Sequence, residues 1–392
     1  MSDDRGSEPP APREPPTFAS LIRYFLGLGT WGFGGPIATV GYMQRDLVEQ
    51  RRWLDRQDFL NGVALGQTMP GPLAAQVVMW VGYLQAGAGG ALATAVAFIL
   101  PSLLLVLALA FVYVRFAGLH VVQSLFYGIA PAVMAIIALA ALKLAQLTDQ
   151  RDVRLWGITF VIFIVTALTG AEIALLFVAA GLIMIGLDAP PAFLRWPSSR
   201  PGASVLGVPF SVLTGTAVGG TLISLGLFFL KAGAFIFGSG LAIVPFLKAG
   251  VVSEHHWLTE GQFLDAVAVG LITPGPVVIT AAFIGYLVGG LAGAAVATIA
   301  IFTPIYLGVV LPGRWFVRHQ GHPQVRAFVK GATAAAAGAI AGATVVLTRA
   351  AVHDWPAAAI LVISLAFTWR VKNREPVLVL LAGIAGILLK GL

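Results

Sequence analysis

The chain has 392 residues, 58% of them hydrophobic and only 10% charged, with a mean hydropathy of +0.90. A soluble domain carries about 25% charged residues, so a soluble core is excluded, and the formal charge of +7 reads as cationic loops on one side of a membrane rather than as a nucleic-acid footprint. The absence of cysteine removes disulfides, thiolate metal sites and thiol redox chemistry, and with no GxxxxGK[ST] loop an ATP-driven pump is not expected.

Residues 1–16, MSDDRGSEPPAPREPP, are proline-rich and charged and read as a disordered tail with no apolar core for a cleaved signal. From residue 17 onward apolar runs alternate with short polar loops. At ~20 residues per helical crossing, spans are expected at 17–44, 90–113, 119–145, 155–169 and 172–187. After a linker over 188–221, they are expected again at 222–248, 290–312, 325–348, 356–369 and 376–391. The segments 59–85 and 263–288 are expected to enter and leave the membrane on one side as re-entrant helical hairpins. The fold class is therefore all-α: a polytopic membrane protein built as an inverted-topology duplication, with about five spans and one hairpin per half. The first transporter repeat is read as 17–187 and the second as 222–392.

The duplication is visible in the residues. FGGP at 33–36, Trp53-Leu54, Phe59-Leu60 and MPGP at 69–72 return at an offset of 204 as Phe237-Gly238, Trp257-Leu258, Phe263-Leu264 and Thr273-Pro274-Gly275-Pro276. Gly82-Tyr83, Pro101, Gly128 and Glu172 return at an offset of 203 as Gly285-Tyr286, Pro304, Gly331 and Glu375. Matched loops carry opposite amounts of positive charge. Arg45, Arg51, Arg52 and Arg56 face a stretch, 249–262, without Lys or Arg, whereas Arg115 alone faces Arg314, Arg318, Arg326 and Lys330. Lys143, Arg151 and Arg154 then face only Arg349, and a bare 170–172 faces Arg370, Lys372 and Arg374. Mounting the halves in opposite directions collects nearly all of this charge on one face, as the positive-inside rule favours.

Pro-Gly-Pro within an apolar helical run removes backbone donors and stops the helix, and at membrane depth such a break is tolerated only where it is buried in protein or lines a cavity. The restarted helices, Leu73–Leu84 and Val277–Leu287, would present unpaired N–H groups to that cavity, an arrangement suited to an anion. The candidate binding residues are therefore Pro70, Gly71, Pro72, Pro274, Gly275 and Pro276, with the glycine breaks Gly34, Gly35, Gly238, Ser239 and Gly240. The neighbouring polar side chains Gln67, Thr68, Gln76, Thr273 and Thr280 complete the uncharged set. Lys231 joins them because a lysine inside LISLGLFFLKAGAFIFGSG needs a cavity, a partner or an interface. Trp53 and Trp257 read as interfacial anchors, and Glu172 and Glu375 as helix-start carboxylates. His255-His256 lack a third ligand, so no metal site is expected; no cofactor and no nucleophile–base set are expected either, and the chain is not read as an enzyme.

The ordered set FGGP, RRWLDRQDFLNGVALGQTMPGP, FLKAGAFIFGSG, HHWLTEGQFLDAVAVGLITPGP and FIGYLVGG resembles the chromate ion transporter family in its long, two-domain form, over nearly the whole chain from about residue 17. The resemblance implies a multi-pass protein of the bacterial inner membrane, a secondary active transporter that exports chromate, driven by the electrochemical gradient, and confers chromate resistance, with sulfate as a competing dianion. Its expected partners are a chromate or sulfate-like dianion and membrane lipids, with a homodimer left open and nucleic acid excluded. Gly27 stands where the second half has Lys231, a position expected to be basic in the family, and Leu271 stands where the first half has Gln67. These departures make the half-sites unequal. The alternative readings are an importer or exchanger of sulfate or another oxyanion, and a scaffold subunit without a transport pathway. Alternating access is expected to rock one half against the other.

Overall fold

The computed structural model describes residues 16–32, 35–116, 120–149, 152–169, 174–190, 220–236, 240, 243–313, 315, 322–371 and 375–390. The expectations placed on the tail, most of the linker, Gly34, Gly238, Ser239, Glu172, Arg151, Arg314, Arg318, Lys372 and Arg374 lie outside the described residues. Among those residues the chain is helical and has no strand. The first repeat holds α1 (Phe18–Trp31), α2 (Gly35–Met43), α3 (Arg56–Thr68), α4 (Leu73–Phe116), α5 (His120–Asp149), α6 (Val153–Thr169) and α7 (Ala174–Asp188). The second holds α8 (Gly220–Ala234), α9 (Ile243–Leu247), α10 (Glu260–Ile272), α11 (Thr280–Val310), α12 (Pro323–Ala351), α13 (Trp355–Arg370) and α14 (Glu375–Lys390).

Helix starts follow the capping chemistry of the sequence. Thr17 accepts the Ser20 N–H, Asp55 the Gln57 N–H, and Asp354 the Ala357 N–H. Thr259 and Gln262 form a reciprocal capping box on α10. In its loop, Asp354 accepts the Tyr127 hydroxyl as well, which holds its carboxyl below the ordinary range.

The repeats agree down to single hydrogen bonds. α2 and α9 each continue into a π-helical turn, Gln44–Gln50 and Lys248–Glu254. These turns close with Arg51 N–H on the Asp46 carbonyl at 3.0 Å and His255 N–H on the Gly250 carbonyl at 2.9 Å. α4 bends at Ala86-Gly87 and α11 at Gly289-Gly290, with glycine φ values of 60° and 61°. The bend divides each long helix into a short arm, belonging to the Pro-Gly-Pro hairpin, and a long arm. As expected, α3 folds back on the short arm of α4: the Trp80 indole N–H donates to the Asp58 carbonyl at 2.9 Å.

The expected single crossings 17–44 and 222–248 are corrected. Tyr24 on α1 donates its hydroxyl to Asp46, 22 residues on, whereas a continuous helix would separate them by about 33 Å. In the second repeat Phe228 stacks on Phe246 and meets His255 and Trp257 edge-on. Each glycine break therefore reverses the chain, and α1 with α2, like α8 with α9, is a second helical hairpin.

Among the described residues, four apolar helical stretches are long enough to cross a membrane: Leu73–Phe116, His120–Gln146, Val277–Val310 and Pro323–Ala351. Their outward faces carry large exposed apolar side chains such as Leu104, Phe111 and Ile299, which suits contact with lipid. The long arms of α4 and α11 run antiparallel. Ala88, at the start of one, accepts the Tyr306 hydroxyl near the end of the other, while Tyr113, near its end, packs on Phe283 ahead of the second arm.

The remaining helices are exchanged between repeats. α6 and α7 pack on α12 of the second repeat, and α13 and α14 pack on α5 of the first. Small residues make the approach close. A Cβ at Gly128 would lie 1.9 Å from the Ala382 carbonyl, and one at Gly386 2.3 Å from that of Ser124. This exchange corrects the rocking of one sequence half against the other, because the halves do not form separate bodies. Gly386→Leu should lower the unfolding temperature in detergent, with an overpacking cost of about 1–3 kcal/mol. Gly157→Ala, where a Cβ meets nothing within 4 Å, should leave that temperature unchanged or raise it, with a stability gain of up to about 1 kcal/mol.

Candidate functional site

The two Pro-Gly-Pro loops are brought together by reciprocal packing on the opposite repeat's long arm. A Cβ at Gly71 would meet Ile305 of α11 at 2.9 Å, and one at Gly275 would meet the Ser102 hydroxyl of α4 at 2.2 Å. Ser102 and Ile305 are themselves repeat equivalents, so the contact obeys a pseudo-two-fold. Both loop glycines have positive φ, 142° and 96°, so a side chain would meet backbone strain as well as the facing arm.

The second glycine break closes the arrangement. The Gly71 N–H donates to the Ile236 carbonyl at 2.6 Å, and a Cβ at Gly240 would sit 3.6 Å from Pro72 and 3.5 Å from Val277. Pro72 and Val277, where the two hairpins restart, therefore face one another across Gly240. In α4 the Gln76 N–H is the first to bond back, to the Pro72 carbonyl at 3.1 Å, which leaves the N–H groups of Leu73, Ala74 and Ala75 without intrahelical partners. The second restart is tighter than expected. Val277–Ile279 is a 3₁₀ turn, and the Ile279 N–H already bonds the Pro276 carbonyl, so α11 proper begins at Thr280.

The predicted side chains divide. Gln76 is fully buried and its Nε2 donates to the Met69 and Pro70 carbonyls at 3.2 and 3.0 Å. It thereby satisfies the broken α3 terminus, and its Oε1 is left without a partner. Thr273 and Thr280 donate to the Gly270 and Val277 carbonyls. Gln67 is exposed, and the Thr68 side chain is not described. Gly35 opens α2. Lys231 is exposed, its ammonium 5.7 Å from the centre of the Phe246 ring on the returning arm of its hairpin. Trp53 and Trp257, expected as interfacial anchors, carry ring contacts: Arg51 lies over the Trp53 ring at 4.6 Å, and His255 stacks on Trp257 at 4.3 Å. Glu375 begins α14 with Oε2 buried and unpartnered.

Three residues escaped the sequence reading. Ser102 is fully buried and its Oγ has no hydrogen-bond partner, against Gly275; the signal was present in Pro101, which recurs as Pro304 beside Ile305. Tyr113 donates to Asp265 on α10 at 2.8 Å, placing a carboxylate in the second hairpin where the first has Asn61. A buried hydroxyl without a partner costs free energy, and beside two interrupted helices it can donate to a bound oxygen.

The match to known proteins follows the same two repeats. The family model for chromate transporters matches residues 19–186 and again 223–387. A chromate transport protein of Cupriavidus metallidurans is 49% identical over 95% of this chain and 93% of its own length. A probable chromate transport protein of Synechococcus elongatus is 46% identical over 94% of each. An uncharacterized transporter of Methanocaldococcus jannaschii is 31% identical over 75% of each. No solved structure matches. With both repeats matched in order, and relatives nearly half identical over almost their full length, this chain belongs to the chromate transporter family.

Proposed function

We propose that the chain exports chromate from the cytoplasm across the bacterial inner membrane, driven by the membrane potential, and so confers chromate resistance. The observation that carries the reading is the reciprocal seat of the Pro-Gly-Pro loops, with the unpartnered Ser102 hydroxyl buried against one of them. The dianion would lie between the restarts at Pro72 and Val277, taking the Ser102 O–H and the first-turn N–H groups of α4. A dianion leaving a negative cytoplasm gains about 2.3 kcal/mol per charge per 100 mV, enough to drive export without a nucleotide. Gly275 and Gly240 border this position, the buried Thr273 and Thr280 hydroxyls brace the adjoining backbone, and Lys231 stands on the α8 hairpin beside Phe246.

The site is read as lying between oppositely mounted repeats, 17–187 and 222–392. The antiparallel long arms of α4 and α11 support that mounting, as does the alternation of charged loops. Because α1–α2 and α3 with the short arm of α4 each return to their starting side, α4 to α7 supply an even number of crossings. Inversion then requires the chain to change sides between Asp188 and Gly220. Alternating access would move bodies of mixed origin, α12 with α6 and α7 and α5 with α13 and α14, by sliding along the α5–α12 contact around the fixed loops.

Ser102→Ala separates function from stability. Removing an unpartnered buried hydroxyl should leave thermal stability unchanged or raised. Chromate efflux from proteoliposomes should fall by roughly tenfold or more, as for a lost hydrogen bond to a charged group. Unchanged efflux at equal expression would remove Ser102 from the site. In this cysteine-free chain, Arg52→Cys and Arg326→Cys should both react with an impermeant thiol reagent from the cytoplasmic face, and Glu254→Cys from the other; labelling of the first two from opposite faces overturns the inverted mounting.

A further inference from the structure

The first repeat contains a cavity for which the Pro-Gly-Pro site has no use. It has a volume of about 550 Å³ and lies between the arms of the α1–α2 hairpin, lined by Arg23, Tyr24, Tyr42, Arg45, Arg51 and Trp53 among others. Three arginines meet a single carboxylate there, Asp46, and that carboxylate is already engaged: it accepts Arg45 Nε at 2.8 Å and the Tyr24 hydroxyl at 3.2 Å. Arg51 lies over the rings of both Tyr24 and Trp53, at 5.4 and 4.6 Å, so its guanidinium is held in place by aromatic faces. Among the described residues neither Arg23 nor Arg51 has a carboxylate partner. The walls thus carry two positive charges more than negative ones.

In the second repeat the corresponding space is occupied, for a reason visible in its residues. Tyr24 is replaced by Phe228, Asp46 by Gly250, Arg45 by Ala249, Arg51 by His255 and Arg23 by Leu227. A Cβ at Gly250 would lie 2.0 Å from the Phe228 ring, so that ring fills the space which Asp46 and Tyr24 border in the first repeat. The same hairpin is open and cationic in one copy, and closed and aromatic in the other. Gly32, which lines the open copy, is the repeat equivalent of Ile236, whose carbonyl holds Gly71 of the first Pro-Gly-Pro loop.

We propose that this cavity is a second, outlying oxyanion site, which captures a free tetrahedral dianion from the cytoplasm before it passes to the Pro-Gly-Pro loops. The inference rests on the export reading for what becomes of the anion, but not for its capture. Guanidinium groups bind tetrahedral oxyanions through paired N–H donors, and a cleft lined by one sign of charge raises the local concentration of its counter-ion. A cavity of 550 Å³ admits the anion with part of its water shell, which suits a site that must release its cargo. The phosphate of a lipid headgroup has the same chemistry and is the competing source.

The test uses the full-length protein in vesicles of zwitterionic lipid alone, and in matched vesicles containing phosphatidic acid, with chromate supplied to the face bearing Arg52. Arg23→Gln and Arg51→Gln, both exposed side chains, should raise the apparent KM for chromate by about tenfold, with a smaller effect on the maximal rate, and should flatten its dependence on ionic strength. Equal KM values for variants and wild type overturn the proposal. So does an effect confined to vesicles with phosphatidic acid, which would assign the cavity to a headgroup. Equilibrium dialysis of chromate against the detergent-solubilised proteins separates the two readings. Binding weakened in the arginine variants, with no transport by the wild type, would refute export and leave capture standing, whereas transport with unaltered binding would do the reverse.

Discussion

A helix interrupted within a bilayer leaves amide and carbonyl groups that lipid cannot satisfy, and the architecture of this protein follows from where those groups find partners. Each Pro-Gly-Pro loop is supported by the opposite repeat: Gly71 donates to Ile236, and Gly275 lies against Ser102. The first loop is packed from both sides, by Ile305 and by Gln76 of its own repeat. The polar side chains nearest the breaks are drawn into the same task. The Gln76 amide and the Thr273 and Thr280 hydroxyls all serve backbone carbonyls, so the donors left for a ligand are few.

That constraint explains which parts of the fold were legible. Pro-Gly-Pro stops a helix whatever surrounds it, so the hairpins at 59–85 and 263–288 followed from residues alone, as did the long apolar helices. The angle at a glycine break does not follow. FGGP permits a kinked crossing or a full reversal, and only tertiary contacts such as Tyr24 with Asp46 and Phe228 with Phe246 distinguish the two. The exchange of α6 and α7 for α13 and α14 was equally hidden, since small residues such as Gly128 and Gly386 mark a close helix contact without naming the partner.

The candidate site was legible in its backbone and less so in its side chains. Spacing pointed to the loops whose restarts, Pro72 and Val277, lie against Gly240, while Ser102, carried on a helix with no interruption of its own at that point, had only a neighbouring proline to distinguish it. The asymmetry of the repeats was visible as a substitution, Gly27 against Lys231, but its larger expression lies elsewhere. Gly250 and Phe228 close one hairpin, and Asp46, Tyr24 and Arg51 hold the other open. Duplication supplied a symmetric frame, and unequal side chains made its two ends chemically different.

The exchanged helices bear on how the protein is made. α5 is synthesised early, yet the neighbours that cover it, α13 and α14, arrive last. About 240 residues separate Asp149 from Lys390, which at roughly 5–20 residues per second amounts to about 12–50 s of translation. Throughout that interval the face of α5 that carries Gly128 must be held against lipid or the insertion machinery. The N-terminal half is thus a genetic unit before it is a folded one, and its maturation ends only when the ribosome has almost finished the other half.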